Sequence, residues 1–498
     1  MITTTRSGVD VLKFLAQQGY NPPTGTWYNK IDEWRSWYKG KVEHFHRYRQ
    51  YNGFRWLDRS RQTLGMAKKI CEDKADLLLN ERCSINVSDD SAQDYLDAVL
   101  EDNAFWSRGN QLVELSAALG TGAFVEYLDG GCIKIDYVPA NMIFPLVWDN
   151  GVITECAFAS LINLKSGEYT YIAMHVKDPD SGNYVIRNFV FDPKGNPVEL
   201  PDGLEPEWNT QDTVPLFQII KPAAVNNYDY HNPMGISIFA NAIDVLKGID
   251  LVYDSYDNEF RLGKKRIFVR DSVVRVVPAT DGSGNVQQLP IFDDNDTEFY
   301  AVDLAEGEDS IKEVNMELRA ADHELALQRH LDLLSEICGF GKGYYKADAD
   351  ATITATGVIS QNSQLYRRIR KDELVLDHAL TGMVAAVFFL AAATGAPVPD
   401  PGETDINFDD SIVEDTDAIA KRSLLEVQSE IISGAEYLQR VYHLTLEKAM
   451  DLVNEAKATA PEPPNPNPDN LFPDKNGGDQ SGKMSGGQPS VDDTGGGA

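Results

Sequence analysis

Gly343-Tyr-Tyr-Lys-Ala-Asp-Ala-Asp-Ala-Thr-Ile-Thr-Ala355 is the stretch on which the reading of the chain turns. It has no apolar pattern of its own and lies between two segments that do. In 316–341, Leu327, Leu331, Leu334 and Cys338 recur at spacings of four, three and four. In 356–393, Leu365, Ile369, Leu376, Leu380, Met383 and Val387 form a second apolar stripe. Both patterns predict amphipathic helices, so two rigid arms hold the charged stretch out from a body.

Working toward the N-terminus, 237–262 predicts another long helix with Phe239, Ile243, Leu246, Ile249, Tyr253, Tyr256 and Phe260 on its apolar face. Asp250, Asp254 and Asp257 make an acidic stripe, which reads either as a solvated face or as the lining of an acidic channel. Gly263-Lys264-Lys265-Arg266-Ile-Phe-Val-Arg270 opens a β-rich insertion that runs to residue 315, with strands near 266–270 and 273–277 and a turn at Asp281-Gly-Ser-Gly. Flanked by two long helices, it forms a small tip on a two-helix stalk. Toward the C-terminus, Pro397-Val-Pro-Asp-Pro-Gly closes the helical region. A helix over 415–433 ends at Gly434, and helices over 435–442 and 446–457 follow. From Thr459 the chain is Pro, Asn, Gly, Asp and Ser, too poor in apolar surface to offset the entropy of ordering, and disorder is expected there.

The N-terminal half begins with a short helix (8–19), then amphipathic helices over 64–80, 92–102 and 108–119. The period then changes. A hairpin is expected from 124–128 and 132–137 across Asp129-Gly130-Gly131, with strands at 152–161, 169–176, 184–191 and 217–221. The fold class is therefore α+β. Residues 30–82 carry 13 Lys/Arg against 8 Asp/Glu, interleaved with Trp34, Trp37, Tyr48, Tyr51, Phe54 and Trp56. That segment reads as nucleic-acid contact through Arg and stacking, or, the preferred reading, as a helical surface pairing with acid on a neighbouring copy.

A formal charge of −32 over 498 residues argues against a protein that coats nucleic acid by neutralising phosphates. Five widely spaced cysteines without a C-x-x-C pair predict buried thiols in a reducing compartment, not a zinc site. No signal peptide is read at Met1, and the uncharged run 379–393 falls short of a bilayer span and is expected to be a buried helix of a soluble, cytoplasmic protein. There is no G-x-x-x-x-G-K-[ST], no G-x-S-x-G and no H-E-x-x-H, so neither enzyme activity nor a cofactor is expected. His44-Phe-His46 fits an aromatic basic helix better than a metal site. Asp293-Asp-Asn-Asp-Thr-Glu298 lacks the EF-hand spacing and reads as a polar loop, with an exposed weak divalent-cation site as the other reading.

Three stretches carry a family resemblance: Leu64-Gly-Met-Ala-Lys-Lys-Ile-Cys-Glu-Asp-Lys-Ala-Asp-Leu-Leu-Leu-Asn-Glu81, Lys134-Ile-Asp-Tyr-Val-Pro-Ala-Asn-Met-Ile-Phe-Pro145 and Thr354-Ala-Thr-Gly-Val-Ile-Ser-Gln-Asn-Ser-Gln-Leu-Tyr-Arg367. With the stalk and tip in order between them, the chain resembles the tailed-phage portal proteins of the SPP1 type over roughly 27–457. Gly357 departs from the better helix former expected there. The resemblance implies an N-terminal arm (1–26), a helix and sheet wing (27–235), stem helices (236–263 and 316–341) and a clip (264–315). It further implies a tunnel loop (342–357), a long helix with a wing return (358–410), a helical crown (411–457) and a disordered tail (458–498). It implies a homo-dodecameric ring at one capsid vertex of the virion, assembled in host cytoplasm, through which double-stranded DNA passes weakly held. Its partners would be the terminase, the major capsid and scaffolding proteins and a head-completion adaptor, without a membrane. Carried over, Lys346, Asp348, Asp350, Thr352 and Thr354 would face DNA, Asp250, Asp254 and Asp257 would be stem candidates for lining the channel, and Lys264, Lys265, Arg266 and Arg270 would lie in the terminase-binding clip. Another oligomeric virion adaptor is the alternative.

Overall fold

The structure is a computed structural model. It describes residues 10–454 except 81, 165–166, 202, 264–265, 271–275, 281–285, 291–298, 303–310, 316, 347–354, 396, 398, 409–415, 430, 443–447 and 451. The chain divides into two compact units, 1–415 and 416–498.

The first unit opens with helices α1 (Val11–Gln17), α2 (Gly25–Tyr38) and the single turn α3 (Glu43–His46). Strands β1 (Arg47–Tyr51) and β2 (Trp56–Ser60) then pair as a hairpin, from Arg47 opposite Ser60 to Tyr51 opposite Trp56. The hairpin replaces the expected helical surface over 47–60 only, since α2, α3 with His44 and His46, and Met66–Leu78 are helical. The cause is the Asn52-Gly53 corner: Gly53 takes φ +94°, and the Asn52 side chain accepts from the amides of Phe54 and Arg55 at 3.1 and 2.9 Å. Helices α4 (Met66–Leu78), α5 (Asp90–Asp102) and α6 (Phe105–Leu119) follow, with β3 (Ser84–Val87) between the first two.

β4 (Gly122–Asp129) and β5 (Cys132–Pro139) form the expected hairpin, with Gly130 and Gly131 both at positive φ. β6 (Ile143–Asp149), β7 (Val152–Leu164), β8 (Gly167–Lys177), β9 (Tyr184–Phe191) and β10 (Pro197–Val198) make an antiparallel sheet in the order β10-β9-β8-β7-β6, and β11 (Glu207–Asn209) also pairs with β9. β12 (Phe217–Ile220) returns to β4, giving the order β12-β4-β5. Helix α6 packs on β4 and β5, and the rings of Phe105 and Phe124 meet at 5.7 Å. The apolar core is one cluster that runs from α1 to α9 and includes Trp34, Phe144 and Phe239.

After a tight turn at Ala240–Ala242, α7 (Ile243–Leu262) leads to the insertion, in which β13 (Arg266–Arg270) pairs in parallel with β16 (Phe299–Val302) and antiparallel with β17 (Ile311–Val314), while β14 (Val276–Thr280) pairs with β15 (Val286–Pro290). α8 (Ala320–Cys338) returns along α7, α9 (Ala355–Ala393) re-enters the body, and β18 (Thr404–Asn407) closes onto β3. The stretch Gln364–Ala393 is long and apolar enough to cross a membrane by length and composition, more than the uncharged run suggests. Its stripe of Leu365, Ile369, Leu376, Leu380, Met383 and Val387 is buried in the unit's own core, which makes it a core helix. Cys71, Cys83, Cys156 and Cys338 are buried free thiols, but Cys132 is exposed, contrary to expectation, at the turn end of the β4–β5 hairpin.

In the second unit, α10 (Thr416–Gln428) and α11 (Gly434–Tyr442) are tied by Glu426, which accepts from Arg422 and Arg440. Gly434 opens α11 instead of closing α10, because Ser433 accepts from the amide of Glu436 as a helix cap. The Asp293–Glu298 loop and the tail from 458 lie outside the described residues.

Two constraints yield predictions. Gly120, at φ +88°, ends α6 against Gly235, where an added Cβ would lie 2.3 Å from the Gly120 carbonyl oxygen. Backbone cannot yield there, so Gly235→Ala is expected to cost about 3 kcal/mol or more, read by denaturant melts. Glu126, on β4, is fully buried, and among the described residues neither carboxyl oxygen has a hydrogen-bond partner. Burial pushes its carboxyl up from 4.5 to about 8. Between those values the folded chain holds a proton that the unfolded chain has lost, so stability is fullest below the lower value and falls as pH rises through the window. Glu126→Gln removes the slope, which is at most about 1.4 kcal/mol per pH unit. Its melting advantage over wild type should be larger at pH 8 than at pH 5, and an advantage equal at both would show an ordinary carboxyl.

Candidate channel-facing loop and stem

The charged stretch is anchored on its N-terminal side. α8 ends at Gly339, whose φ of +88° lets the amides of Gly339 and Phe340 reach back to Glu336 and Ser335, at 3.2 and 2.9 Å. Arg368 of α9 lies over this cap: a Cβ on Gly339 would be 2.9 Å from its side chain. Gly341 and Gly343 also take positive φ, so the chain turns tightly through three alternate glycines. Phe340 is buried, and the rings of Tyr344 and Tyr345 lie 4.9 and 5.8 Å from it. The Tyr345 hydroxyl donates to Asp73 of α4 at 2.7 Å, and Gln328 of α8 donates to the Tyr345 carbonyl at 2.9 Å. Burial, then the bond to Asp73, raises the Tyr345 phenol well above its ordinary value. One residue later Lys346 is exposed to solvent. Asp348, Asp350, Thr352 and Thr354 lie outside the described residues, and α9 begins at Ala355.

The far end of the loop is fixed through α9. Lys74 of α4 and Asp372 of α9 form a buried ion pair, and Asp372 also accepts from the amide of Ala223 at 2.6 Å. Burial lowers the Lys74 ammonium, and the Asp372 carboxylate offsets part of that.

The acidic stripe of α7 is not one solvated face. Asp250 is only 4 % exposed, and it accepts from Leu64 N at 2.9 Å while its other oxygen meets His46 Nε2 at 3.0 Å. The amide of Val42 donates to His46 Nδ1 at 2.9 Å, so the proton of the neutral ring sits on Nε2 and points at Asp250. Asp254 is half-buried and accepts from Gln62 N at 3.0 Å. These two aspartates therefore satisfy backbone amides of residues 62–64, and Asp250 is withdrawn as a channel-lining group because it lies inside its own subunit. Asp257 is exposed.

At the insertion's base, Glu259 of α7 accepts a fork from Arg319, Nε at 3.1 Å and Nη2 at 2.8 Å, and Arg319 holds the Glu259 carboxyl down at about 2. Higher up, α7 and α8 approach at Gly248, where a Cβ would be 2.5 Å from the His330 ring. Arg266 and Arg270 lie four residues apart on β13, and Lys264 and Lys265 are outside the described residues. The sequence pattern did not single out Asp73, Lys74 or Gly235, and it read His46 as part of a helix and not as a partner of Asp250, since each acts through a contact distant in the chain.

A helix-and-sheet body with a β-rich insertion carried between the paired helices α7 and α8 is the framework in which these residues sit. The chain belongs to the SPP1 Gp6-like phage portal proteins: the model of that family matches residues 26–462, and the protein is a structural component of a phage particle. Among solved structures it is similar to a chain in "Neck of empty GTA particle computed with C6 symmetry", at 12% identity and TM-score 0.43, covering 86% of this chain and 97% of that one. It is also similar to a chain in "Virion of native gene transfer agent (GTA) particle", at 12% identity and TM-score 0.38, covering 88% and 99%. No curated protein matches.

The rooting predicts that Tyr345→Phe, which removes only the hydroxyl bonded to Asp73, costs about 1 kcal/mol. It should also speed tryptic cleavage after Lys346 in the folded protein. Cleavage at the wild-type rate would show that the bond does not hold the loop's root.

Proposed function

We propose that twelve copies of this chain form a ring at one capsid vertex and that the ring is the conduit for double-stranded DNA during packaging and ejection. The observation that carries this reading is family membership across 26–462. In this reading the wing is 27–235, the stem is the α7–α8 pair, and residues 342–357 form the tunnel loop. Lys346, Asp348, Asp350, Thr352 and Thr354 lie nearest the duplex. Asp257 is the exposed stem acid left to face the channel. The clip at 264–315, with Lys264, Lys265, Arg266 and Arg270, docks the terminase during packaging and the head-completion adaptor afterwards. The crown at 411–457 faces the capsid interior, and the wing meets the capsid and scaffolding proteins.

Electrostatics supports a conduit over a clamp. Every phosphate that a protein neutralises releases counterions and deepens binding. A loop with one Lys against two Asp, in a chain of charge −32, repels phosphate on balance and leaves only passing hydrogen bonds from Thr352 and Thr354. Such a loop seals without gripping.

Electron microscopy of the purified chain should show a ring with a central hole and twelve-fold symmetry. The double variant Asp348→Lys/Asp350→Lys should assemble normally yet slow DNA packaging at least severalfold in a packaging reaction. Packaging at the wild-type rate would remove the loop's charge from the mechanism while leaving the ring intact.

A further inference from the structure

The hairpin β1–β2 stands apart from the rest of the body. Every residue of its two strands is exposed except Leu57, which is half-buried. A two-stranded hairpin without a covered face is marginal in water. Its corner is apolar, with Phe54 93%, Trp56 60% and Tyr51 54% exposed. Its flanks are cationic: residues 47–61 hold five Arg and one Asp, in a chain whose net charge is −32. Arg49 pairs with that Asp58 at 3.3 Å, and Arg61 folds back onto the carbonyl of Phe45. Arg47, Arg55 and Arg59 make no ion pair among the described residues.

The complement lies elsewhere on the same molecule. The outer face of α5 carries Asp90, Asp94, Asp97 and Glu101 at spacings of four, three and four, all exposed, and the helix has no basic residue. Like charges at this spacing repel and favour a cationic cover. Among the described residues none of the four has an ion pair, and Asp97 receives only the amide of Gln93 at 2.9 Å. The two surfaces stand on separate elements: α5 holds β3 through Gln93, while the hairpin is rooted on α7 through Gln62 and Asp254. A patch and its complement at different places on one subunit give a head-to-tail contact, the kind that closes into a ring.

We propose that β1–β2 is an arm that docks on a second copy of this chain, setting Arg47 and Arg55 against that copy's acidic α5 face and burying Phe54 and Trp56 in the joint. The proposal rests on the ring reading above. The exposed aromatics favour a protein over a duplex as the occupant, because buried aromatic and Arg anchors are what hold protein interfaces together. Strands of five residues give the arm a reach of about 17 Å.

The test follows assembly of the full chain by mass photometry across a dilution series, with near-ultraviolet circular dichroism to verify each fold. The double variant Arg47→Glu/Arg55→Glu should raise the concentration needed for assembly about tenfold or more. Phe54→Ser/Trp56→Ser should do the same without changing charge. Asp94→Lys/Asp97→Lys/Glu101→Lys should weaken assembly alone and restore it when combined with the arginine reversals. A hairpin variant that assembles at the wild-type concentration overturns the arm and leaves the ring standing, whether or not it has lost affinity for a short DNA duplex. Failure of the combined variant to recover overturns α5 as the docking face. A wild-type chain that stays monomeric at every concentration overturns both the arm and the ring.

Discussion

The buried pair of Lys74 and Asp372 ties α4 to α9 in the core of the first unit. Taking two charges out of water costs several kcal/mol each, and only close approach with additional hydrogen bonds offsets that. Here the offset includes the Ala223 amide, so one carboxylate joins α4, α9 and the segment after β12. Because α9 is the far arm of the charged loop, its rotation and height are fixed by a contact inside the body. The near arm is fixed independently, by the glycine cap under Arg368 and by Tyr345 on Asp73. Asp73 and Lys74 are neighbours on α4, so both ends of the loop are anchored to one helix. That arrangement holds the loop's two ends at a set separation.

The same economy governs the stem. Residues 62–64 run beside α7 without a strand partner, and a backbone amide buried without an acceptor is costly. Asp254 and Asp250 accept from Gln62 and Leu64, and His46 orients Asp250 from the other side. The acid of α7 is thus spent partly on holding the hairpin's exit strand against the stem. A ligand to the backbone, not a channel charge, is what Asp250 supplies.

How much of this the sequence disclosed follows from the range of each signal. The stripes of α8 and α9 were legible because helical periodicity is local, and Leu331, Leu334, Leu376, Leu380 and Met383 are buried as the spacing predicts. The β4–β5 hairpin was legible from Gly130-Gly131. The β1–β2 hairpin was signalled by Asn52-Gly53, but its strands lack an apolar alternation because neither face is covered, and aromatic density pulled the reading toward helix. β6 was hidden by Pro145, which breaks a strand pattern; the structure accommodates it at a register shift on the sheet's edge strand. Spacing of three and four told that Asp250, Asp254 and Asp257 lean to one side of α7. What covers that side depends on residues nearly two hundred positions away, which periodicity cannot see.

In the proposed ring, charge placement lets a strongly acidic chain be both adhesive and slippery. Within that proposed ring, repulsion between subunits of charge −32 opposes assembly and must be overcome locally. The cationic segment 47–61 stands outward on a hairpin, where it meets solvent, while Lys74 is folded inside against its own carboxylate. At physiological ionic strength charges farther apart than about 8 Å are largely screened, so overall repulsion fades while close Arg–carboxylate contacts persist. Local cations can then join copies of the chain without making the whole surface attractive to phosphate.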